Sequence, residues 1–440
     1  MLLLLLAALL AAPAAASPEL QDPTERARVT VLPNGLTVLS LEDHSTPVAS
    51  FQVWVRAGSR DESRYTGIAH LFEHMMFKGT RHLEPEQFTR LVEGRGGRLN
   101  AFTSQDVTVY FEDVSAETLP LVIDLEAERM ANLAVNDALL QTEREVVLEE
   151  RSMRTDDDPE GRAWEALLAL TFVAHPYRWP VIGWRSDVEA VDVAACRSFF
   201  DAYYAPNNLV VAVAGDFDSE ETLARIERRF GAMRPAAGIP RNPTREPEQQ
   251  GERRQTVYFP VRGALLAAAW HAPATGHPDG SALDALGEIL SSGRSSRLYR
   301  RLVNDEQVAL RAGASYWELH DAGLFHGSIA VRPDASAERA EALFFEEIER
   351  VRREPVSEAE LAKARRKLEV RLVTELRTAH ALASRMGSDW AAFGRIRPLA
   401  ELLGRIQAVS AEDVQRVART YLDPARRSVV RVVSPPEAAE

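Results

Sequence analysis

The stretch that decides the fold is Gly67-Ile-Ala-His-Leu-Phe-Glu-His-Met-Met-Phe-Lys-Gly-Thr80. Its apolar residues recur on one side of a helix, which we expect Thr66 to cap and Gly79 to end. His70 and His74 are four residues apart, so both imidazoles leave the same helical face one turn apart. That spacing suits two nitrogen ligands of a single zinc ion.

Glu73 stands between the two histidines and completes an H-x-x-E-H pattern. A carboxylate at this position could take a proton from a water molecule that the metal activates. Histidine pairs at this spacing also occur by chance on ordinary amphipathic helices, where they are surface or core residues. A third ligand elsewhere in the chain is therefore needed to favour a metal site.

A third ligand is available in the segment Glu143-Arg-Glu-Val-Val-Leu-Glu-Glu150. Glu143 and Glu150 are seven residues apart, which places both carboxylates on one face of a helix. The residues alone leave two interpretations open. One is a metal-binding carboxylate, and the other is an acidic helix with a solvated face, which Glu145 and Glu149 are expected to form.

These motifs resemble those of the pitrilysin/insulinase family of zinc metallopeptidases. The resemblance is to the branch of bacterial proteins that are similar to the beta subunit of the mitochondrial processing peptidase, and it extends from about Val29 to Val433. Besides the two motifs above, it rests on Gly96-Gly-Arg-Leu-Asn-Ala-Phe-Thr103, His175-Pro-Tyr-Arg-Trp-Pro-Val-Ile-Gly183 and Tyr204-Ala-Pro-Asn-Asn208.

The resemblance assigns roles to the residues of the two motifs. It implies that His70, His74 and Glu150 bind one Zn²⁺ per chain. It implies that Glu73 is the general base. Glu143 matches an additional carboxylate of the family, which we expect to orient a ligand or water rather than to bind the ion.

The resemblance also implies that Asn100, Ala101 and Phe102 lie on an edge strand beside the zinc. An extended peptide can add to such an edge through main-chain hydrogen bonds, which give affinity with little sequence selectivity. The residues alone equally allow an ordinary asparagine at the start of a strand.

A pair of residues in the second half bears on whether the chain acts alone. Family members that do so carry an arginine and a tyrosine, seven residues apart, that follow a Ser-Arg-Leu motif and contact the substrate carbonyl. After Ser296-Arg-Leu298, these positions are Val303 and Leu310, and neither side chain donates a hydrogen bond. One oxyanion donor contributes ~3–4 kcal/mol to transition-state stabilisation. The expected assembly is therefore a heterodimer with a family member that lacks H-x-x-E-H, or a homodimer, unless Arg301 or Tyr316 substitutes.

The two halves of the chain resemble each other. Val188-Glu-Ala-Val191 and Ile406-Gln-Ala-Val409 each end fifteen residues before a proline that leads into a valine-rich strand. This repeat indicates duplication of one α+β unit, and the family resemblance implies two α/β-sandwich domains facing each other around a peptide-binding chamber. The expected organisation is a signal segment (1–16), a zinc-binding domain (17–234), a proline-rich linker (235–254), a homologous domain without a metal site (255–433) and a tail (434–440).

Periodicity of apolar residues predicts the main elements of both halves. Strands are expected over 48–55, 108–111, 264–270 and 325–331. Helices are expected over 116–133, 222–230, 281–302, 337–352, 357–378 and 380–393.

Composition and the N-terminus limit the setting in which the protein acts. A net charge of −13 argues against a nucleic-acid surface. Residues 1–16 are apolar and end in small residues, which predicts a secretory signal and a periplasmic or secreted protein with no membrane span after its removal. No lysine or arginine precedes Arg26, so the signal is atypical, and the protein would be cytoplasmic if the signal were not used.

The motifs predict a zinc-dependent endopeptidase subunit that cleaves peptides or unfolded segments. The alternative is a non-catalytic assembly subunit of the same fold, because the family includes core subunits of respiratory complexes. Such subunits have typically lost part of the zinc set. All four of its positions are present in this chain.

Overall fold

A computed structural model of the protein describes residues 21–436, so the predicted signal segment and residues 437–440 of the predicted tail lie outside the described residues. No helix within 21–436 is long and apolar enough to cross a membrane. The strands are β1 (Arg28–Val31), β2 (Thr37–Glu42), β3 (Val48–Val55), β4 (Arg98–Thr103), β5 (Thr108–Ser115), β6 (Leu209–Gly215), β7 (Arg253–Tyr258), β8 (Leu265–Ala272), β9 (Ala309–Trp317), β10 (Gly323–Val331) and β11 (Arg427–Val433). The helices are α1 (Ile68–Met75), α2 (Gln87–Glu93), α3 (Leu119–Asn132), α4 (Asp137–Arg151), α5 (Pro159–Thr171), α6 (Arg185–Ala190), α7 (Val193–Tyr203), α8 (Ser219–Phe230), α9 (Gly280–Ser291), α10 (Ala337–Arg353), α11 (Glu358–Thr374), α12 (Ala379–Phe393), α13 (Leu399–Gln407) and α14 (Ala411–Tyr421).

Two sheets with the same topology form the frame of the molecule. The strand order is β1-β2-β6-β3-β5-β4 in the first half and β7-β11-β8-β10-β9 in the second. The pairs β2/β6 and β7/β11 are parallel, and the other neighbours are antiparallel. Apart from β1, both sheets arrange their five strands in the same permutation of chain order. The predicted α+β fold, built by duplication, is confirmed.

One face of each sheet packs against helices of its own half. Val53 and Tyr110 of the first sheet share a buried cluster with Phe72 of α1. In the second half, Trp270 of β8 and Phe344 of α10 belong to the equivalent cluster. Alternation along each strand leaves a second apolar face that these helices do not cover.

Each remaining face is covered by a helix from the other half of the chain. Leu382 and Met386 of α12, in the second half, pack with Trp54 and Val210 of the first sheet. Conversely, α5 of the first half packs on β8 and β11 through residues that include Leu167. The two halves therefore exchange one helix each, and each sheet has both faces buried only when the other half is present.

A glycine permits one of these crossings. A Cβ atom on Gly387 of α12 would lie 2.2 Å from Nε1 of Trp54, so a larger residue there would push the helix away from the sheet. Gln52 fixes the same contact, because its Nε2 donates to the carbonyl of His380 and to Oγ of Ser384, at 3.1 and 3.0 Å.

The structure differs from the predicted elements at one long helix. The helix expected over 281–302 is wrong, because α9 ends at Ser291 and a separate wide turn of helix covers Tyr299–Asp305. Gly293 has a φ of +86°, the left-handed conformation that terminates helices. The Ser-Ser-Gly-Arg-Ser-Ser run at 291–296 is the sequence signal for this interruption.

The segment between α8 and β7, residues 231–252, has no regular structure but is fastened to the first half. Nη1 of Arg241 lies 2.8 Å from Oδ1 of Asp61. The carboxylate of Glu246 accepts hydrogen bonds from the backbone N–H groups of Val173, Ala174 and His175, each 2.9 Å long. These contacts hold the segment against the body of the protein.

Candidate metal centre

The start of α1 is set by a residue that precedes the helix by several positions. The carboxylate of Glu62 accepts hydrogen bonds from the backbone N–H groups of Gly67 and Ala69, each 2.9 Å long. The predicted cap is wrong, because the hydroxyl of Thr66 donates to Oδ2 of Asp187 at 2.7 Å instead. A carboxylate is favourable at a helix N-terminus, where N–H groups lack partners inside the helix.

Glycines bring α1 close to a neighbouring loop. Gly67 has a φ of +84°, and a Cβ atom on it would lie 2.6 Å from the carbonyl oxygen of Ile182. Gly183 approaches in the same way from the other side. Glu62, only 2 % exposed, lies at this contact, and burial raises the pKa of its carboxyl group well above the ordinary value.

Because the apolar side of α1 is buried in the core, the polar residues of the helix face a cleft. Leu71, Phe72 and Met75 are fully buried in the first core. His70 and His74 therefore face α4, as the four-residue spacing predicts.

The structure brings the three predicted ligands together. Oε2 of Glu150 lies 3.3 Å from Nε2 of His74 and 3.8 Å from Nε2 of His70. The donor atoms of these three residues all lie within 4.8 Å of one another. Ligands at zinc–ligand distances of 2.0–2.1 Å in a tetrahedral site are roughly 3.3–3.4 Å apart. Two imidazoles and a carboxylate at this separation fit a zinc ion.

Glu143 occupies a different position from Glu150. Its side chain is almost completely buried, and Oε2 lies 3.6 Å from Nδ1 of His74, behind the face that points to Glu150. Nζ of Lys78 lies 3.2 Å from the other oxygen of Glu143. A carboxylate on Nδ1 fixes the orientation of a ligating imidazole and directs Nε2 toward a metal.

Burial and neighbouring charges shift the pKa values of these groups in opposite directions. Burial, and then the charge of His74, lowers the pKa of His70 to about 4. Burial opposes protonation of His74 too, but the neighbouring carboxylates of Glu143 and Glu150 outweigh it and raise its pKa to about 9. Since a ligating imidazole must be neutral, a metal ion and a proton compete for His74.

Glu73 is linked to the candidate substrate strand by a residue that the sequence did not single out. Oγ1 of Thr103, at the end of β4, donates to Oε2 of Glu73 at 2.6 Å. Burial raises the pKa of Glu73, and this hydrogen bond opposes the rise. The signal for Thr103 was its place on β4, on the opposite face of the strand from Asn100 and Phe102.

The cleft beside these residues has a volume of about 940 Å³. Asn100, Ala101 and Phe102 line one of its walls, and α4 lines another. As expected, β4 is an edge strand, and within residues 21–436 its one pairing partner is β5. Every described residue that lines the cleft lies between His70 and Arg154, in the first half of the chain.

Val303 and Leu310 stand where relatives carry the arginine–tyrosine pair, and they lie away from this cleft. The two possible substitutes for the pair also lie away from it. Val303 packs against the second core, and the side chain of Leu310 is 60 % exposed. The hydroxyl of Tyr316 donates to the carbonyl of Pro273 at 2.7 Å. Arg301 forms an ion pair within the second half. Neither Arg301 nor Tyr316 reaches the cleft of its own chain.

Comparison with known proteins identifies the family. The family model described as insulinase (peptidase family M16) matches residues 37–183, and the model described as the peptidase M16 inactive domain matches residues 190–368. The zinc protease PqqE of Helicobacter pylori is 30 % identical over 404 residues, which cover 91 % of each chain. The chain belongs to the M16 family.

Similarity to other M16 proteins, in sequence and in structure, supports this assignment. An uncharacterized zinc protease of Mycobacterium tuberculosis is 33 % identical over 93 % of each chain. A probable beta subunit of the mitochondrial processing peptidase from Arabidopsis thaliana is 28 % identical over 90 % of this chain and 76 % of its own. The crystal structure of a protease from Helicobacter pylori has a TM-score of 0.89 at 30 % identity, covering 93 % of this chain and 99 % of that one.

Proposed function

We propose that this chain is the catalytic subunit of a zinc-dependent endopeptidase that hydrolyses peptides or unfolded segments. The observation that carries the proposal is the convergence of Nε2 of His70, Nε2 of His74 and Oε2 of Glu150 beside Glu73. The names of the M16 relatives as zinc proteases support it.

The residues around the centre have distinct parts in such a reaction. A zinc ion held by His70, His74 and Glu150 would supply Lewis acidity and lower the pKa of water. Glu73 accepts the proton of the attacking water and returns it to the departing amine. Thr103 holds one oxygen of Glu73, which leaves the other free to face the water. Burial, which raises the pKa of Glu73, suits a group that both accepts and donates a proton.

The free edge of β4 is suited to bind an extended substrate. Oδ1 of Asn100 accepts a hydrogen bond from the backbone N–H of Ala101 at 2.9 Å, which indicates that this N–H is not used in the pairing with β5. A peptide that pairs with β4 would displace the Asn100 side chain from that donor. Thr103 then lies on the same strand as the substrate contacts and touches the general base.

We propose that a second M16 subunit completes the site. The cleft is lined by the first half alone, and Val303 and Leu310 provide no donor for the oxyanion. A partner that carries an arginine–tyrosine pair would supply this stabilisation. The relative from Arabidopsis thaliana is itself named as a subunit.

The proposal is tested with the purified full-length chain, a fluorogenic peptide and a metal analysis. We expect one zinc per chain and low activity alone, which rises by ~100-fold or more when an M16 partner with the arginine–tyrosine pair is added. Glu73→Gln should keep the zinc and lose the activity of the complex.

Two outcomes would contradict this function. Near-normal turnover by Glu73→Gln would remove Glu73 from its role as the base. The second candidate is a non-catalytic assembly subunit, which the absence of a hydrogen-bond donor at positions 303 and 310 favours. This candidate would be supported if the protein purified without stoichiometric zinc and showed no activity in any assembly.

A further inference from the structure

Arg154 contacts the oxygen of Glu150 that faces away from the histidines. It lies one turn after Glu150, in a wide turn of helix, Ser152–Asp156, that directly follows α4. Its Nη1 is 2.8 Å from Oε1 of Glu150, while Oε2 of Glu150 faces His70 and His74. The two carboxylate oxygens therefore have separate partners.

Arg154 also differs from the other basic side chain of the cleft in the number of carboxylates that it contacts. Of the described residues that line the cleft, Lys78 and Arg154 are the only lysine and arginine. Lys78 is paired with Glu86 and Glu143, at 2.5 and 3.2 Å. The one salt bridge that the structure records for Arg154 joins it to Glu150.

A carboxylate can bind a metal through one oxygen or through both. If both oxygens of Glu150 were bound, together with two histidines, the ion would have four protein donors. Catalytic zinc sites instead hold three donors and keep a position for water or substrate. A guanidinium group held against Oε1 favours binding through Oε2 alone, because it occupies the side of that oxygen that would otherwise turn to the ion.

We propose that Arg154 is a positioning residue that holds Oε1 of Glu150 and thereby restricts Glu150 to metal binding through Oε2. The proposal rests on the zinc site of the proposed function. It assigns Arg154 no contact with substrate and no part in proton transfer.

Two effects of the guanidinium group on zinc affinity have opposite signs. Its positive charge repels a dication, so removal of the charge alone would strengthen binding. Its contact with Oε1 holds Glu150 in one orientation, so loss of that contact weakens binding. The side chain is 75 % exposed, and solvent and salt screen the charge effect more than the orienting contact. We therefore expect the orienting effect to dominate.

The test compares Arg154→Gln and Arg154→Lys with the wild type in the full-length, metal-free protein. Zinc affinity is measured by competition with a chromophoric chelator, and Co²⁺ is then bound in place of zinc to record its visible absorption. Arg154→Gln should bind zinc about 10-fold more weakly, the lower end of the range for groups that support a ligand. Its Co²⁺ band should weaken as the coordination number rises. Arg154→Lys, which keeps a donor and the charge, should recover part of both signals.

Arg90→Gln is the matched control, because Arg90 is an exposed arginine on α2 that does not line the cleft. It should leave zinc affinity and the Co²⁺ spectrum unchanged. Since Arg154 is exposed, Arg154→Gln should also keep the thermal midpoint of the wild type.

Several results would overturn the proposal. Zinc affinity and a Co²⁺ spectrum equal to those of the wild type would exclude a positioning role, as would tighter zinc binding by Arg154→Gln. A higher KM with unchanged metal binding would make Arg154 a substrate contact instead. Failure of the wild-type protein to bind zinc would contradict the zinc site of the proposed function. The other results would contradict only the role of Arg154.

Discussion

At the scale of single residues, the hydroxyl of Thr103 is the contact with Glu73 that can be removed most cleanly. Thr103→Val preserves the shape of the side chain and deletes the donor that holds Oε2 of Glu73. A hydrogen bond to a charged group contributes ~1.5–3 kcal/mol, so we expect kcat/KM of the active complex to fall by roughly 10-fold or more. Peptide hydrolysis and zinc content are measured on the same preparation, and zinc content should not change.

Thr103→Ser is the control for this prediction, because it keeps the hydroxyl group and should retain most of the activity. Equal rates for the valine variant and the wild type would show that Glu73 needs no fixed orientation.

The two glutamates of α4 should differ in their effect on the metal. Glu150→Gln removes a charged ligand and should abolish stoichiometric zinc binding. Glu143→Gln alters a group that touches Nδ1 of His74, so we expect a loss of about 10–100-fold in zinc affinity and a metal site that still fills at high zinc. Metal analysis after dialysis against graded zinc concentrations distinguishes the two. A zinc-free Glu143 variant beside a fully loaded Glu150 variant would exchange their roles.

At the scale of elements, the sequence predicted the parts of the site that follow from helical spacing. The faces of α1 and α4 that carry His70, His74, Glu143 and Glu150 were predictable because side chains three, four and seven residues apart share a face. The cap by Glu62 was not predictable in the same way. It is separated from the helix by a loop whose course depends on the tertiary contact with Gly183 rather than on local sequence.

A half-buried carboxyl group on α9 gives a pH-dependent prediction. Burial, and then the charge of Glu318, raises the pKa of Asp284 to about 7; Glu288 adds to the rise, while Arg371 and Arg405 oppose it. The folded protein therefore holds this proton more tightly than the unfolded chain, whose aspartate has a pKa of about 3.9. Stability attributable to Asp284 falls as the pH rises from about 4 to about 7 and is constant above that range.

Asp284→Asn removes this dependence while keeping the shape of the side chain. We expect its thermal midpoint to exceed that of the wild type by roughly 2–4 °C at pH 8 and to match it near pH 4. Scanning calorimetry at both values measures the difference. Asp201→Asn, at an exposed position of α7, should show no such trend, and a gain for Asp284→Asn that is equal at both values would rule out titration as its cause.

At the scale of the whole molecule, the exchange of α5 and α12 couples the stabilities of the two halves. Met386 lies in the second half of the chain, is fully buried and packs on the first sheet. Met386→Ala should destabilise the protein by about 2–4 kcal/mol through the cavity it creates. Hydrogen exchange should accelerate in β3 and β6, which are strands of the first half.

Val370→Ala on α11 is the control, because Val370 is 65 % exposed and its truncation should stay within about 0.5 kcal/mol. Accelerated exchange confined to the second half in Met386→Ala would show that the halves are energetically separate.

The duplication was predictable at this scale, but the exchange of helices was not. The repeated spacing around Val191 and Val409 reveals two copies of one unit. The apolar face of a helix such as α12 shows that it must be covered, but it does not show which of two similar sheets covers it. That choice depends on long-range packing, such as the approach of Gly387 to Trp54.

The exchanged helices also change what the segment over residues 231–252 can do. A protease that nicked it would leave two fragments, each carrying the outer layer that the other needs, so they should stay together until denaturant separates them. For the same reason the segment cannot serve as a hinge about which the halves swing. With the second subunit of the proposed function in place, we expect the way in which the two chains meet, rather than motion within this chain, to control the entry of a peptide to the cleft.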